Sequence, residues 1–201
     1  MAIIFLFAIC LFTAFVIKKA DKGFKGFGIP NYITLIRNYL VFLIIYVSIF
    51  HTNHLVILFI AILVLSMDGL DGYFARKLKL SSEFGARFDM ESDAFFILTL
   101  SCIVYFYYVD SVFVLLIGGM RYIYVVLSYF LDFLNNPIKE RYSRKVFCVI
   151  QILALMLPFT ELLNNSLLYI VLFLSFTLLL FSFSRDVFEQ FFHTPLPEQS
   201  D

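Results

Sequence analysis

The sequence predicts an all-α integral membrane protein, a six-transmembrane-helix bundle with an extra N-terminal apolar segment. Three observations carry that prediction. The chain is 62% hydrophobic and only 15% charged, and its mean hydropathy of +0.92 lies far from that of a soluble domain. Its apolar residues gather in windows of about 20, the length a helix needs to cross a hydrocarbon core. None of these windows alternates apolar with polar residues, so helices are expected rather than barrel strands.

The first apolar run, residues 2–17, reads AIIFLFAICLFTAFVI. Lys18 and Lys19 follow it and nothing basic precedes it, the reverse of a secretory signal, so an uncleaved membrane segment or interfacial helix is expected. Six longer windows come next, at 32–50, 55–75, 86–108, 111–133, 146–163 and 167–184. Leu, Ile, Val and Phe crowd them, and Pro158 is their one proline. If the segment before the first window is cytoplasmic and the helices alternate, the outer loops are 51–54, 107–111 and 160–166, which hold no Lys or Arg. The inner segments then receive Lys18, Lys19, Lys22, Lys25, Arg76, Lys77, Lys79, Lys139, Arg141, Arg144, Lys145 and Arg185, as the positive-inside rule expects. The expected organisation is an N-terminal apolar segment and basic linker over 1–28, a membrane domain over 29–185 and a cytoplasmic tail over 186–201.

Other chemistries find little support. Cys10, Cys102 and Cys148 sit singly in apolar runs, without metal-ligand spacing or a disulfide framework. His51, His54 and His193 fall in an outer loop and the tail, which disfavours a histidine-based catalytic pair. Net charge is zero and topology accounts for the basic residues, so no nucleic-acid partner is expected.

One stretch breaks the apolar pattern: SMDGLDGYFARKLKLSSEFGARFDMESDAF, Ser66 to Phe95. It holds four aspartates, each of which would cost about 2.5–3.5 kcal/mol at the centre of a spanning helix. Asp68, Asp71, Gly72, Ala75 and Arg76 fall at i, i+3, i+4, i+7 and i+8, one stripe of one helix face. Gly85, Asp89 and Asp93 follow at i, i+4 and i+8, again one face, while Arg87 and Glu91 lie about 200° away from Asp89. A short connection between the two helices lets the stripes oppose each other, bringing four carboxylates together at the cytoplasmic end. Such a cluster stays ionised only with positive charge among it. Oxygen-only ligands select hard divalent cations, Mg²⁺ or Mn²⁺, and one or two such ions suit phosphoryl chemistry. Gly72, Ala75 and Gly85 leave room for close approach of a ligand, and Arg76 offers a fork for phosphate.

These residues carry a resemblance. DGLDGYFAR, eight residues, then GARFDMESD is similar to the signature of the CDP-alcohol phosphotransferase family, with all eight defining positions present: Asp68, Asp71, Gly72, Ala75, Arg76, Gly85, Asp89 and Asp93. IPNYITLIR at 29–37 resembles the start of that family's first spanning helix, and GGMRY and RKVFCVIQ resemble later helices of its phosphatidylglycerophosphate synthase branch. FDMESDAF departs from that branch around the last two aspartates but keeps both. The resemblance implies two divalent ions on Asp68, Asp71, Asp89 and Asp93, with Asp93 also the general base. It further implies that Gly72, Ala75, Arg76 and Gly85 lie against the cytidine and pyrophosphate of a CDP-linked lipid donor. A small alcohol would then attack the phosphate next to the lipid, CMP would leave, and the protein would work as a homodimer among membrane lipids.

For the acceptor, a second basic set stands out: Arg121, Arg141, Arg144, Lys145 and Arg185. Such residues suit an acceptor with its own phosphate, such as glycerol 3-phosphate. Arg121, about ten residues into an apolar helix, should meet an anion, either a substrate phosphate or Asp132. The alternatives are a phosphatidylserine-type synthase with an unphosphorylated acceptor, and a divalent-ion transporter or silent scaffold. A transporter should carry polar residues through the bilayer, and the outer halves of these helices are largely apolar.

Overall fold

The structure, a computed structural model, describes residues 29–50, 53–78, 83–131 and 142–192. The apolar segment at 2–17, the linker to residue 28, Asp132, Arg141 and the tail from residue 193 lie outside the described residues.

All six expected windows are helices: α1 (Ile29–Phe50), α2 (His54–Leu78), α3 (Glu83–Tyr107), α4 (Val112–Phe130), α5 (Tyr142–Met156) and α6 (Asn165–Phe192). There is no strand among the described residues. Four stretches, Asn31–Phe50, Gly85–Tyr107, Val112–Phe130 and Asn165–Phe192, are long and apolar enough to cross a membrane, and α2 and α5 add the shorter apolar stretches His54–Asp68 and Val146–Thr160.

Local chemistry sets several boundaries. Asn53 and Asn164 accept from the backbone N–H three residues on, that of Val56 at 3.3 Å and of Leu167 at 2.9 Å, and so cap α2 and α6. Helix α5 tightens into a 3₁₀ turn, Leu157–Thr160, where Pro158 cannot donate to an α-helical bond. Glu161 closes that turn in the left-handed region, at φ 54°. Helix α6 continues well past the apolar window that predicts it, because Ser182, Asp186 and Gln190 recur at i, i+4 and i+8 and are buried. A hydropathy window stops at such polar residues. The helix does not, since their face is covered.

The chain forms two compact units, Met1–Thr99 and Leu100–Asp201. In the first, α1 packs along α2, and Phe42 of α1 meets Phe95 of α3 at a ring separation of 5.3 Å. The buried face of α1 is polar in its first half, at Asn31, Thr34, Arg37 and Asn38, and apolar in its second, at Val41, Ile44 and Val47. Helix α3 divides in the same way, with Asp89, Ser92 and Asp93 followed by buried Phe96, Ile97 and Leu100. The core of α2, Ile57, Ile60, Ala61 and Val64, precedes Asp68. Polar groups of all three helices therefore collect at one end of this unit.

In the second unit, Phe113 of α4 stacks against Tyr169, Phe173 and Phe176 of α6, and Tyr124 meets Phe183 farther along. Positions rise together on both helices, so α4 and α6 run parallel, as alternation through a membrane requires of helices two apart. The turns after α3 and α5 lie at one end, where Tyr108 packs edge-on to Phe159 at 5.5 Å.

Candidate active site

The first span supplies what the aspartate stripes lack. Arg37 sits nine residues into α1 with its side chain 1% exposed. A guanidinium so desolvated needs ionic and hydrogen-bonded partners, and it has them on two other helices. Its Nη1 donates to Asp68 Oδ1 at 2.6 Å. Its Nη2 donates to Asp89 Oδ1 at 2.7 Å and to the Asp89 carbonyl at 3.3 Å, and pairs with Asp93 Oδ1 at 3.0 Å. Nε donates to Ser92 Oγ at 3.4 Å. Asn38, also buried, donates from Nδ2 to the same Ser92 Oγ at 2.8 Å and to the Thr34 carbonyl at 2.8 Å. The buried floor is thus a chain of donors and acceptors from α1 to α3.

The carboxylates lie above that floor. The side chains of Asp68, Asp89 and Asp93 are 40%, 41% and 31% exposed, and one oxygen from each falls within 4.8 Å of the others. Two unit charges at that distance repel by roughly 3.5 kcal/mol at an effective dielectric near 20, less where solvent reaches them. Three such groups converge only with positive charge beside them, and Arg37 provides one unit of it. The donor set is oxygen-only and partly open, which fits a hard divalent cation.

Three of the four signature aspartates are thus brought together. Asp71, Gly72, Ala75 and Arg76 lie on the helical backbone of α2, and their side chains are outside the described residues. Gly85 opens the face of α3 that carries Asp89 and Asp93, while Arg87 and Glu91 are exposed, as their phase predicts. Arg121 on α4 and Arg185 on α6 are half-buried, and Arg144 and Lys145 begin α5 with side chains outside the described residues. Cys102 and Cys148 form no disulfide among the described residues.

Arg37, Asn38 and Ser92 are what sequence reasoning missed. Arg37 falls inside the first apolar window, 32–50, and is given no role by sequence. The signal was present: Arg37 is the only charged residue in the 22 residues of α1, and the cost of an intramembrane arginine, applied above to Arg121, demands an anion here too.

The profile of CDP-alcohol phosphatidyltransferases matches residues 27–178, well over half of the chain, and spans α1 through the first half of α6. This chain belongs to the CDP-alcohol phosphatidyltransferase family. No curated protein matches it. As a CDP-alcohol phosphatidyltransferase it is a membrane transferase of phospholipid biosynthesis, which moves a phosphatidyl group from a CDP-alcohol to an acceptor alcohol. The family uses divalent metals, and the acidic cluster of Asp68, Asp89 and Asp93 has the donor chemistry to hold one.

Proposed function

We propose that this phosphatidyltransferase uses CDP-diacylglycerol as donor and a small phosphorylated alcohol, such as glycerol 3-phosphate, as acceptor. The observation that supports the reading is the convergence of Asp68, Asp89 and Asp93 at one end of the first unit, within the residues that the family profile matches. Asp93 takes the proton of the acceptor hydroxyl. The acceptor oxygen forms a bond to the phosphorus next to diacylglycerol, the bond from that phosphorus to the bridging pyrophosphate oxygen breaks, and CMP leaves with the electron pair. Two ions of Mg²⁺ or Mn²⁺ on Asp68, Asp71, Asp89 and Asp93 supply positive charge for the phosphate oxygens. Gly72, Ala75 and Gly85 let the nucleotide approach the backbone, and Arg76 forks onto a phosphate.

The acceptor phosphate is assigned to Arg121, Arg141, Arg144, Lys145 and Arg185. Support comes from the register of α4 on α6: the Tyr124–Phe183 contact lies one turn from Arg121 and two residues from Arg185. The basic-residue distribution favours a site facing the cytoplasm, in a multi-pass protein of the cytoplasmic membrane. The catalytic membrane domain is taken as 29–185, flanked by 1–28 and 186–201, and the working unit as a homodimer.

The test is CMP release from CDP-diacylglycerol by the purified protein in lipid with Mg²⁺ or Mn²⁺, across glycerol 3-phosphate, inositol phosphate, serine, inositol and choline. Release with a phosphorylated acceptor that disappears in Asp93→Asn supports the reading. Release only with serine, inositol or choline replaces the acceptor, and silence with every acceptor rejects the donor.

A further inference from the structure

We propose that Arg37 is a built-in counter-cation, a positioning residue that holds Asp68, Asp89 and Asp93 converged before a divalent ion arrives and then shares their neutralisation with it. The inference rests on the reading of these aspartates as metal ligands.

Four features of the geometry point to it. The exposures are split, at 1% for Arg37 against 31–41% for the three aspartates, so the guanidinium holds them from the protein side and leaves them accessible from the solvent side. Each ion pair uses one oxygen of its carboxylate, and a carboxylate offers about four lone-pair sites, so pairing with Arg37 leaves capacity for a cation. The described charges, three carboxylates and one guanidinium, sum to −2, so net negative charge remains for divalent cations even before Asp71 is counted. Finally, the guanidinium is itself held in place: Nε donates to Ser92 Oγ, which Asn38 anchors in turn, so its plane and reach are set by α1 and α3.

Arginine suits this task better than lysine. Its planar fork sends Nη1 to α2 and Nη2 to two aspartates of α3 at once, whereas an ammonium is a single point of charge. Without Arg37 the carboxylates would repel, and a bound ion would become their main source of neutralisation. Removal of Arg37 should therefore hurt the metal-free protein more than the metal-loaded one. By reciprocity, the folded variant should bind the ion more tightly.

The experiment compares full-length wild type, Arg37→Gln and Arg37→Lys in lipid nanodiscs, reading the thermal unfolding midpoint in EDTA and in saturating Mn²⁺, with Mn²⁺ binding followed by electron paramagnetic resonance. Expected results are a wild type stabilised by Mn²⁺, and an Arg37→Gln variant whose midpoint drops in EDTA and recovers at least about half of that loss in Mn²⁺, with apparent affinity tighter on the order of tenfold. Arg37→Lys should fall between the two in EDTA. A loss of equal size in both conditions, or a larger one in Mn²⁺, overturns the proposal, and the same criterion applied to Arg37→Lys decides it if the glutamine variant does not fold. A wild type that neither binds nor responds to Mn²⁺ overturns the metal reading itself, and this proposal with it.

Discussion

Two serines on α3 invite the same substitution with opposite expected results. Ser92 is 2% exposed, and its Oγ is shared by Arg37 Nε at 3.4 Å and Asn38 Nδ2 at 2.8 Å. Ser92→Ala removes one oxygen, creates almost no cavity, and takes the acceptor away from two buried donors, one of them on a charged group. Asn38 keeps its bond to the Thr34 carbonyl, so the loss is partial. A buried donor left without an acceptor costs about 1–3 kcal/mol, and about 1.5–3 kcal/mol is expected here. At about 2–4 °C per kcal/mol for a chain of this size, the midpoint should fall by roughly 3–12 °C. Ser101 is fully buried, but its Oγ has no hydrogen-bond partner among the described residues. Ser101→Ala removes the same atom and relieves an unsatisfied hydroxyl, so stability should hold within about 0.5 kcal/mol or rise. The assay is thermal unfolding of both variants in the same nanodiscs, in EDTA. Equal losses in the two, or a Ser92→Ala change below about 0.5 kcal/mol, would refute the reasoning that Ser92 anchors the site's floor.

Chelation should stop CMP release by at least about a hundredfold and readdition of Mg²⁺ or Mn²⁺ should restore it, because one guanidinium does not offset three carboxylates and the incoming pyrophosphate together; activity that survives EDTA would contradict the role given to the cluster. Just after the C-terminus of α3, burial and then the Glu161 carboxylate push the Tyr108 phenol up from 10 to about 12. Its folded pKa is raised, so its stabilising contribution is complete below pH 10 and fades as pH climbs towards 12. A phenolate absorbance difference between wild type and Tyr108→Phe should therefore rise near pH 12, and a step near pH 10 would count against that packing. Leu172 is fully buried in α6, and Leu172→Ala should destabilise by about 2–5 kcal/mol through lost contacts and a residual cavity. A loss under about 1 kcal/mol in equilibrium unfolding would place that position at a lipid-facing surface instead.

Much of this protein is legible without coordinates, and for plain reasons. Six helices follow from length and hydropathy because a bilayer accepts only backbone that satisfies its own hydrogen bonds, which leaves helices as the reading for non-alternating apolar windows. The phase of Asp68 on α2, and of Asp89 and Asp93 on α3, follows from the 3.6-residue repeat alone. Hydropathy is a poorer guide to helix ends. Its last window ends at residue 184, just past Ser182 and short of Asp186 and Gln190, whose burial carries α6 to Phe192.

Sequence by itself determined the family signature, the helix count and the two faces that carry carboxylates, because each depends on local spacing and composition. Tertiary structure alone decided that a third helix closes the site. Arg37 is 31 residues from Asp68 and 52 from Asp89 in the chain, and no local pattern links them. What joins them is the cost of leaving a buried guanidinium without anions, or converged carboxylates without a cation, and that cost is met only when α1, α2 and α3 pack together.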